Sequence, residues 1–202
     1  MVGNPPAEIR YYRDAELAFL KNYFEDKPLR ILEVGCGYGR LLSELENGKR
    51  KVVGIDFSEK QIERARRYVE RTPTQLAAMD ASKLGFKDNS FDIVCCLYQT
   101  LGNMPGIEQQ VINEMYRVCK PNGEIITSVF SENALDAQLR NYERLQLTQV
   151  RNVENAVVTD EGFYSRRFSR EDVAKLFEQL EAPVEINPLT RFGWLGIAKK
   201  RD

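Results

Sequence analysis

Ile31-Leu32-Glu33-Val34-Gly35-Cys36-Gly37-Tyr38-Gly39 decides the fold. Its first residues are an apolar strand, and three alternate glycines follow before a helical pattern begins. Glycine lets a chain turn tightly and leaves no side chain between backbone and ligand. A helix start just beyond such a loop offers unpaired N–H groups. A plain strand-to-helix turn needs one glycine, not three. A dinucleotide-binding loop needs G-x-G-x-x-G, with the third glycine allowing close helix–strand packing. Here the glycines stand at 35, 37 and 39 and position 40 is Arg, which counts against NAD.

Outward from the loop, apolar strands alternate with amphipathic helices. The helix after the loop is expected to run to about Glu46 and to stop at Asn47-Gly48. Residues 51–55 form the second strand. Ser58-Glu59-Lys60-Gln61 reads as a capping box that opens a helix over 59–71. Residues 75–79 form a third strand and 91–97 a fourth, apolar enough to be buried on both faces. A helix follows over 107–119. Pro121-Asn122-Gly123 reads as a turn before a fifth strand at 124–130. Residues 133–149 have a helical pattern, and 150–165 carry no clear period. Ser169 opens a last helix that reaches about Leu180. Strands at 184–187 and 192–199 close the chain as a hairpin, antiparallel to the rest. The alternation predicts an α/β, doubly wound, mostly parallel sheet with helices on both faces. Right-handed crossovers put the strands' carboxyl ends on one edge, where ligands bind.

The composition bounds the function. The 202 residues suit a single domain with one core. With 43% apolar and 29% charged residues, the chain is globular rather than disordered. Lys plus Arg (29) nearly cancel Asp plus Glu (30), so bulk charge gives no case for a nucleic-acid partner. No apolar run spans a bilayer. The start, Met1-Val2-Gly3-Asn4-Pro5-Pro6, lacks a secretory pattern, and cytoplasmic residence is the expectation. Cys36, Cys95, Cys96 and Cys119 form no C-x-x-C pair and read as reduced core thiols. The chain has no histidine, which removes the commonest general base and metal ligand. No metal site is expected.

Two acids follow the loop. Asp56 ends the second strand roughly 20 residues on, where a carboxylate can accept ribose hydroxyls; by itself it also suits a helix N-terminus. Phe57 is placed either against a purine ring or in the core. Asp80 ends the third strand and suits either an adenine amine or a turn.

These segments resemble the Rossmann-like S-adenosylmethionine methyltransferases. The residues that carry the likeness are 31–39, Val53-Gly54-Ile55-Asp56-Phe57-Ser58, Asp80, Phe86-Lys87-Asp88-Asn89-Ser90-Phe91-Asp92-Ile93-Val94 and Arg117-Val118-Cys119-Lys120-Pro121-Asn122-Gly123-Glu124. They cover residues 29–130 in the family's order. The resemblance implies a seven-stranded sheet ordered 3-2-1-4-5-7-6 with strand 7 antiparallel. It implies S-adenosyl-L-methionine as cofactor, S-adenosyl-L-homocysteine as product and no metal. The backbone of Gly35, Cys36 and Gly37 would face the methionine part, with Glu33 supporting the loop. Asp56 would bind the ribose, Phe57 the adenine face, and Asp80 and Ala81 the adenine edge. Leu97 and Tyr98 would touch the methionine amino group. An N-terminal arm (1–28) would fold over the cofactor, with Tyr11 at its methionine end.

The expected reaction is direct in-line transfer to N or O of a small-molecule acceptor, by a monomer or homodimer without a membrane. Alignment and exclusion of water supply most of such catalysis, so no catalytic side chain is assigned. Acceptor-side candidates are Tyr11, Gln99, Asn103 and Tyr164. The segment 131–167 reads as a lid, with Tyr142, Phe163, Tyr164 and Arg166 as pocket candidates. An RNA or protein methyltransferase, or a non-catalytic cofactor-binding scaffold, are the alternatives. No Asn-Pro-Pro-Tyr-like motif follows the fourth strand, which counts against base-amine methylation.

Overall fold

A computed structural model describes residues 5–24 and 27–202; residues 1–4 and 25–26, including the start of the expected arm, lie outside it. The N-terminal helix α1 (Ala7–Phe24) buries one stripe: Ile9, Tyr12, Glu16, Leu20 and Phe24. Then come β1 (Arg30–Val34), α2 (Leu42–Leu45), β2 (Lys51–Asp56), α3 (Glu59–Tyr68), β3 (Gln75–Ala78), β4 (Phe91–Cys96), α4 (Glu108–Val118) and β5 (Cys119–Phe130). The remainder is α5 (Leu135–Arg144), β6 (Arg151–Val153), β7 (Ala156–Val158), β8 (Tyr164–Arg166), α6 (Arg170–Phe177), β9 (Val184–Thr190) and β10 (Gly193–Lys199).

The main sheet runs β3-β2-β1-β4-β5-β10-β9. β10 is antiparallel to both β5 and β9, and the other pairs are parallel. This is the expected 3-2-1-4-5-7-6 order, because β6 to β8 form a separate small sheet. Period-two alternation splits each central strand between two cores. Leu32, Val94, Cys96 and Ile125 pack with Val111, Met115 and Phe177, which belong to α4 and α6. Ile31, Ile93, Cys95 and Ile126 pack with Leu20, Leu42 and Ile62, from α1, α2 and α3. The sheet is therefore doubly wound. Its order reverses between β1 and β4, which opens a crevice at their carboxyl ends. All four cysteines are buried and free. Among the described residues no helix is long and apolar enough to cross a membrane.

Four local expectations change. The helix after the loop is only one turn. Gly35, Gly37 and Gly39 hold φ at +73°, +54° and +89°, outside the right-handed helical region, and Glu46 is already extended. The turn at 121–123 lies inside one long strand. The β4 ladder passes from Phe91–Cys119 to Ile93–Glu124, and Asn122 at φ 62° makes the intervening bulge. The capping box at α3 is half made. Ser58 Oγ accepts from Gln61 N at 3.4 Å, but Ser58 N donates to Asp56 Oδ1 at 2.9 Å. Residues 151–166, without a readable period, form the antiparallel sheet β6-β7-β8.

Candidate functional site

Backbone geometry builds the loop first. Cys36 N donates to Ile55 O at 2.8 Å, and Gly39 N to Cys36 O at 3.0 Å. Gly37 N donates to Asp56 Oδ2 at 2.9 Å. Asp56 thus ties the loop to β2 with one oxygen and starts α3 with the other, while keeping lone pairs for a ligand. A Cβ on Gly35 would stand 2.1 Å from Thr100 Cγ2, whereas one on Gly37 would meet nothing within 4 Å. Gly35 is therefore needed by the fold, and Gly37 leaves room for something else.

The end of β4 is strained. Tyr98 and Gln99 follow one another at φ 50° and 69°. Left-handed backbone without glycine costs of order 1–3 kcal/mol per residue and persists only where neighbours impose it. Tyr98 N donates to both Glu16 Oε1 and Ser128 Oγ at 2.8 Å. Gln99 is buried, and its amide oxygen accepts from Phe130 N at 2.5 Å. Its Nε2 donates to Ser165 Oγ at 3.2 Å and to Arg166 O.

Beneath this turn lies a fully buried acid that sequence reading did not select. Glu16 Oε2 accepts from Arg40 Nη2 at 3.1 Å, and Ser128 Oγ donates to Glu16 Oε1. Burial pushes its carboxyl up, against Arg40, Ser128 and the Tyr98 amide, which favour the ionised form. The Arg40 guanidinium lies 4.7 Å from the Tyr98 ring centre. One acid joins α1, the glycine loop, the end of β4 and β5. Its signal was present: Glu16 occupies an inward position of the Ile9, Tyr12, Leu20 stripe, where an isolated charge needs a partner.

The crevice is a cavity of about 1010 Å³. Glu33, Gly35, Cys36, Gly37, Asp56 and Phe57 line it together with Asp80, Ala81, Leu97, Tyr98 and Asn103. Phe57 is 81% exposed, so it is not a core residue. Asp80 does both things expected of it: it borders the cavity and accepts from Ser82 N and Oγ at 2.8 and 2.7 Å. Those bonds, the hydroxyl first, hold its carboxyl below the usual range.

Three expected residues lie elsewhere. Tyr11 is 61% exposed and does not border the cavity; Tyr12, fully buried against Tyr98 and Phe130, takes the inward position. Gln99 is turned away by the bonds just described. Tyr164 is also outside the cavity lining, on β8. Tyr142 donates to Ser165 Oγ at 2.9 Å and packs on Phe163, while Arg166 pairs with Asp172 at 3.0 Å. The 131–167 segment reaches the cavity through Asn141, Arg144 and Leu145 instead. On α1, Arg13 borders it rather than Tyr11.

Among the described residues, three buried oxygens on cavity-lining residues have no hydrogen-bond partner: Glu33 Oε2, Gln61 Oε1 and Asn141 Oδ1. Buried polar atoms are normally paired, so these three oxygens are left free to accept from a ligand in the cavity. Glu33 is 4% exposed, and burial raises its carboxyl to about 8; Arg40 opposes the shift, and Glu16 and Asp56 add to it. The folded state then holds a proton that the unfolded chain releases near 4.5. Glu33 thus supports stability fully below 4.5, and that support declines as pH rises toward 8. Ligand-free protein should lose melting temperature between pH 5 and 8, and Glu33→Gln should flatten that profile. Parallel profiles for the two proteins would exclude Glu33 as the titrating group.

Residues 31–123 match the model of a family described as a methyltransferase domain. A phosphatidylethanolamine N-methyltransferase of Cereibacter sphaeroides is 39% identical over 101 residues, 48% of this chain and 48% of the relative. The tRNA N(3)-methylcytidine methyltransferase trm140 of Schizosaccharomyces pombe is 30% identical over 147 residues, 67% of this chain and 43% of the relative. The chain thus spans about half the length of these curated relatives or less. The PH0226 protein of Pyrococcus horikoshii OT3 has the same fold, with a TM-score of 0.78, 24% identity and coverage of 96% of this chain and 92% of that one. The methyltransferase-domain match over residues 31–123 and the order of the main sheet are those of a Rossmann-like methyltransferase fold.

Proposed function

We propose that the chain binds S-adenosylmethionine in this cavity and transfers its methyl group to N or O of a small-molecule acceptor. One observation carries the reading: a single cavity joins an acidic half at the ends of β1, β2 and β3 to a half lined from α1, β4 and α5. The residues fit the cofactor. Open space faces Gly37, the Asp56 carboxylate has lone pairs left for a ribose diol, and the orphaned Glu33 Oε2 can accept from the amino-acid end. Phe57 and Asp80, which line the same cavity, would take the adenine.

The cofactor supplies a methyl group already activated by the positive sulfur. The chain's part is to orient the acceptor and exclude water. Tyr98 and Asn103 are polar residues after β4 that border the cavity and could serve that task. The segment 131–167 serves as the cover on the acceptor side, through Asn141, Arg144 and Leu145. An acceptor that must lose a proton finds no histidine in the chain, so a carboxylate, a tyrosine or water would take it.

An RNA acceptor is the second reading, and the tRNA-methyltransferase relative supports it. The net charge of −1, expected to argue against nucleic acid, carries no weight against that relative. Calorimetry tests the main claim: S-adenosylmethionine should bind at micromolar concentration, and NAD should not. Folded protein that binds neither would refute it. Turnover with an acceptor panel that includes tRNA then separates the two acceptor classes, and separates both from a scaffold.

A further inference from the structure

The two halves of the cavity differ in charge. Its charged acids, Asp56 and Asp80, stand on β2 and just past β3, beside the buried, protonated Glu33 of β1. Its cations, Arg13, Arg40 and Arg144, come from α1, the glycine loop and α5. Arg40 is paired with buried Glu16 and belongs to the loop, so it stands at the amino-acid end of the proposed cofactor site. Arg13 uses Nε on the exposed Asp14 at 3.1 Å and makes no other hydrogen bond or ion pair among the described residues. Arg144 has no ion-pair or hydrogen-bond partner among the described residues. One turn earlier on α5, Arg140 pairs with Glu8 of α1 at 2.6 Å, so the two helices are held together beside the cavity. On the same helix α5, Asn141 lines the cavity and leaves its buried Oδ1 unpaired among the described residues.

A cofactor carboxylate is one anion, and Arg40, which borders the cavity while pairing with Glu16, stands at the loop that would face it. The half-exposed Arg13, the exposed Arg144 and the orphaned amide of Asn141, all on elements outside the β1–β3 edge, leave donors and an acceptor for a second, anionic ligand. We infer that the methyl acceptor carries an anionic group, a phosphate or carboxylate, held between Arg13 and Arg144, with Asn141 accepting from an N–H or O–H beside it. Guanidinium matches either anion through paired N–H donors. The inference rests on the methyl-transfer reading and specifies its acceptor.

The test fills the cofactor half first. Protein saturated with S-adenosylhomocysteine is titrated with phenyl phosphate and, separately, with uncharged phenol. Phenyl phosphate should bind at least about tenfold more tightly, the effect of one charge-assisted hydrogen bond. Arg13→Gln and Arg144→Gln should each weaken phenyl phosphate by about tenfold or more, and leave S-adenosylhomocysteine affinity within about threefold. Equal binding of phosphate and phenol, or arginine variants that bind phenyl phosphate like the native protein, would overturn the inference. A comparable loss of S-adenosylhomocysteine affinity in those variants would also overturn it, by giving the arginines to the cofactor. A tRNA transcript that binds more tightly than phenyl phosphate and needs the same two arginines would overturn the small-molecule form, by giving them to a nucleic-acid backbone. Native protein that fails to bind S-adenosylhomocysteine sinks the methyl-transfer reading instead, and the phenyl phosphate titration of the variants still reads the anion site alone.

Discussion

Glu16→Ala should destabilise the protein by about 3–5 kcal/mol, the usual effect of removing one partner of a buried ion pair. Glu16 is fully buried, and Arg40, Ser128 and the Tyr98 amide all converge on it. Without it, Arg40 keeps a charge that is only 17% exposed, and the left-handed turn at Tyr98 loses one of its two amide acceptors. Urea unfolding measures the loss as a lower midpoint at unchanged slope. Glu16→Gln keeps an acceptor for Ser128 and Tyr98 but removes the charge, so it should lie between native and alanine proteins. A loss below about 1 kcal/mol for Glu16→Ala would place the pair in the class of solvated surface bridges. Cofactor affinity should fall as well, because Arg40 and Tyr98 border the cavity. The Gln variant separates the two effects, since its backbone turn still has an acceptor.

The parallel core was readable because its strands are apolar on both faces and its turns carry glycine, proline or asparagine in register. Leu32 and Ile31 belong to opposite cores, which is why β1 reads as an unbroken apolar run. The glycine loop was readable for a related reason, since positive φ and close approach fix glycine there, and the acids at strand ends because their carboxylates take nearby backbone N–H groups. What failed to read was determined by partners far along the chain. Glu16 meets Ser128 across 112 positions and Gln99 meets Arg166 across 67, and no local window contains either pair. Tyr11 and Tyr12 differ by one position on a helix, and only docking against Phe130 decides which faces inward. The β6-β7-β8 sheet went unread because its three-residue strands are too short to show a period. Gln99 looked like a site residue because it is polar after a buried strand. Its polarity is instead spent on Phe130, Ser165 and Arg166, which hold the strained turn in place.

Gly35→Ala and Gly37→Ala should separate what the loop does for the fold from what it does for a ligand. Both positions have positive φ, so alanine at either costs about 1–2 kcal/mol from backbone alone. At Gly35 the added methyl also runs into Thr100 Cγ2 at 2.1 Å. Thr100 Oγ1 donates to Gly35 O at 3.3 Å, so relief by moving Thr100 pulls the end of β4 from the loop. Gly35→Ala should therefore lower both the urea midpoint and S-adenosylmethionine affinity, the latter by about a hundredfold or more if its stabilising contacts shift together. Thr100→Ser removes the offending methyl, and in the double variant it should recover the steric part of the loss but not the backbone part. At Gly37 the methyl enters open space beside the cavity, so stability should fall by the backbone amount only. If a ligand's backbone-facing surface occupies that space, affinity at Gly37→Ala should fall by more than stability does. Equal affinities in native and Gly37→Ala proteins would mean that the ligand keeps clear of the loop, and would leave backbone φ alone as the reason for glycine at the centre of Gly35-Cys36-Gly37-Tyr38-Gly39.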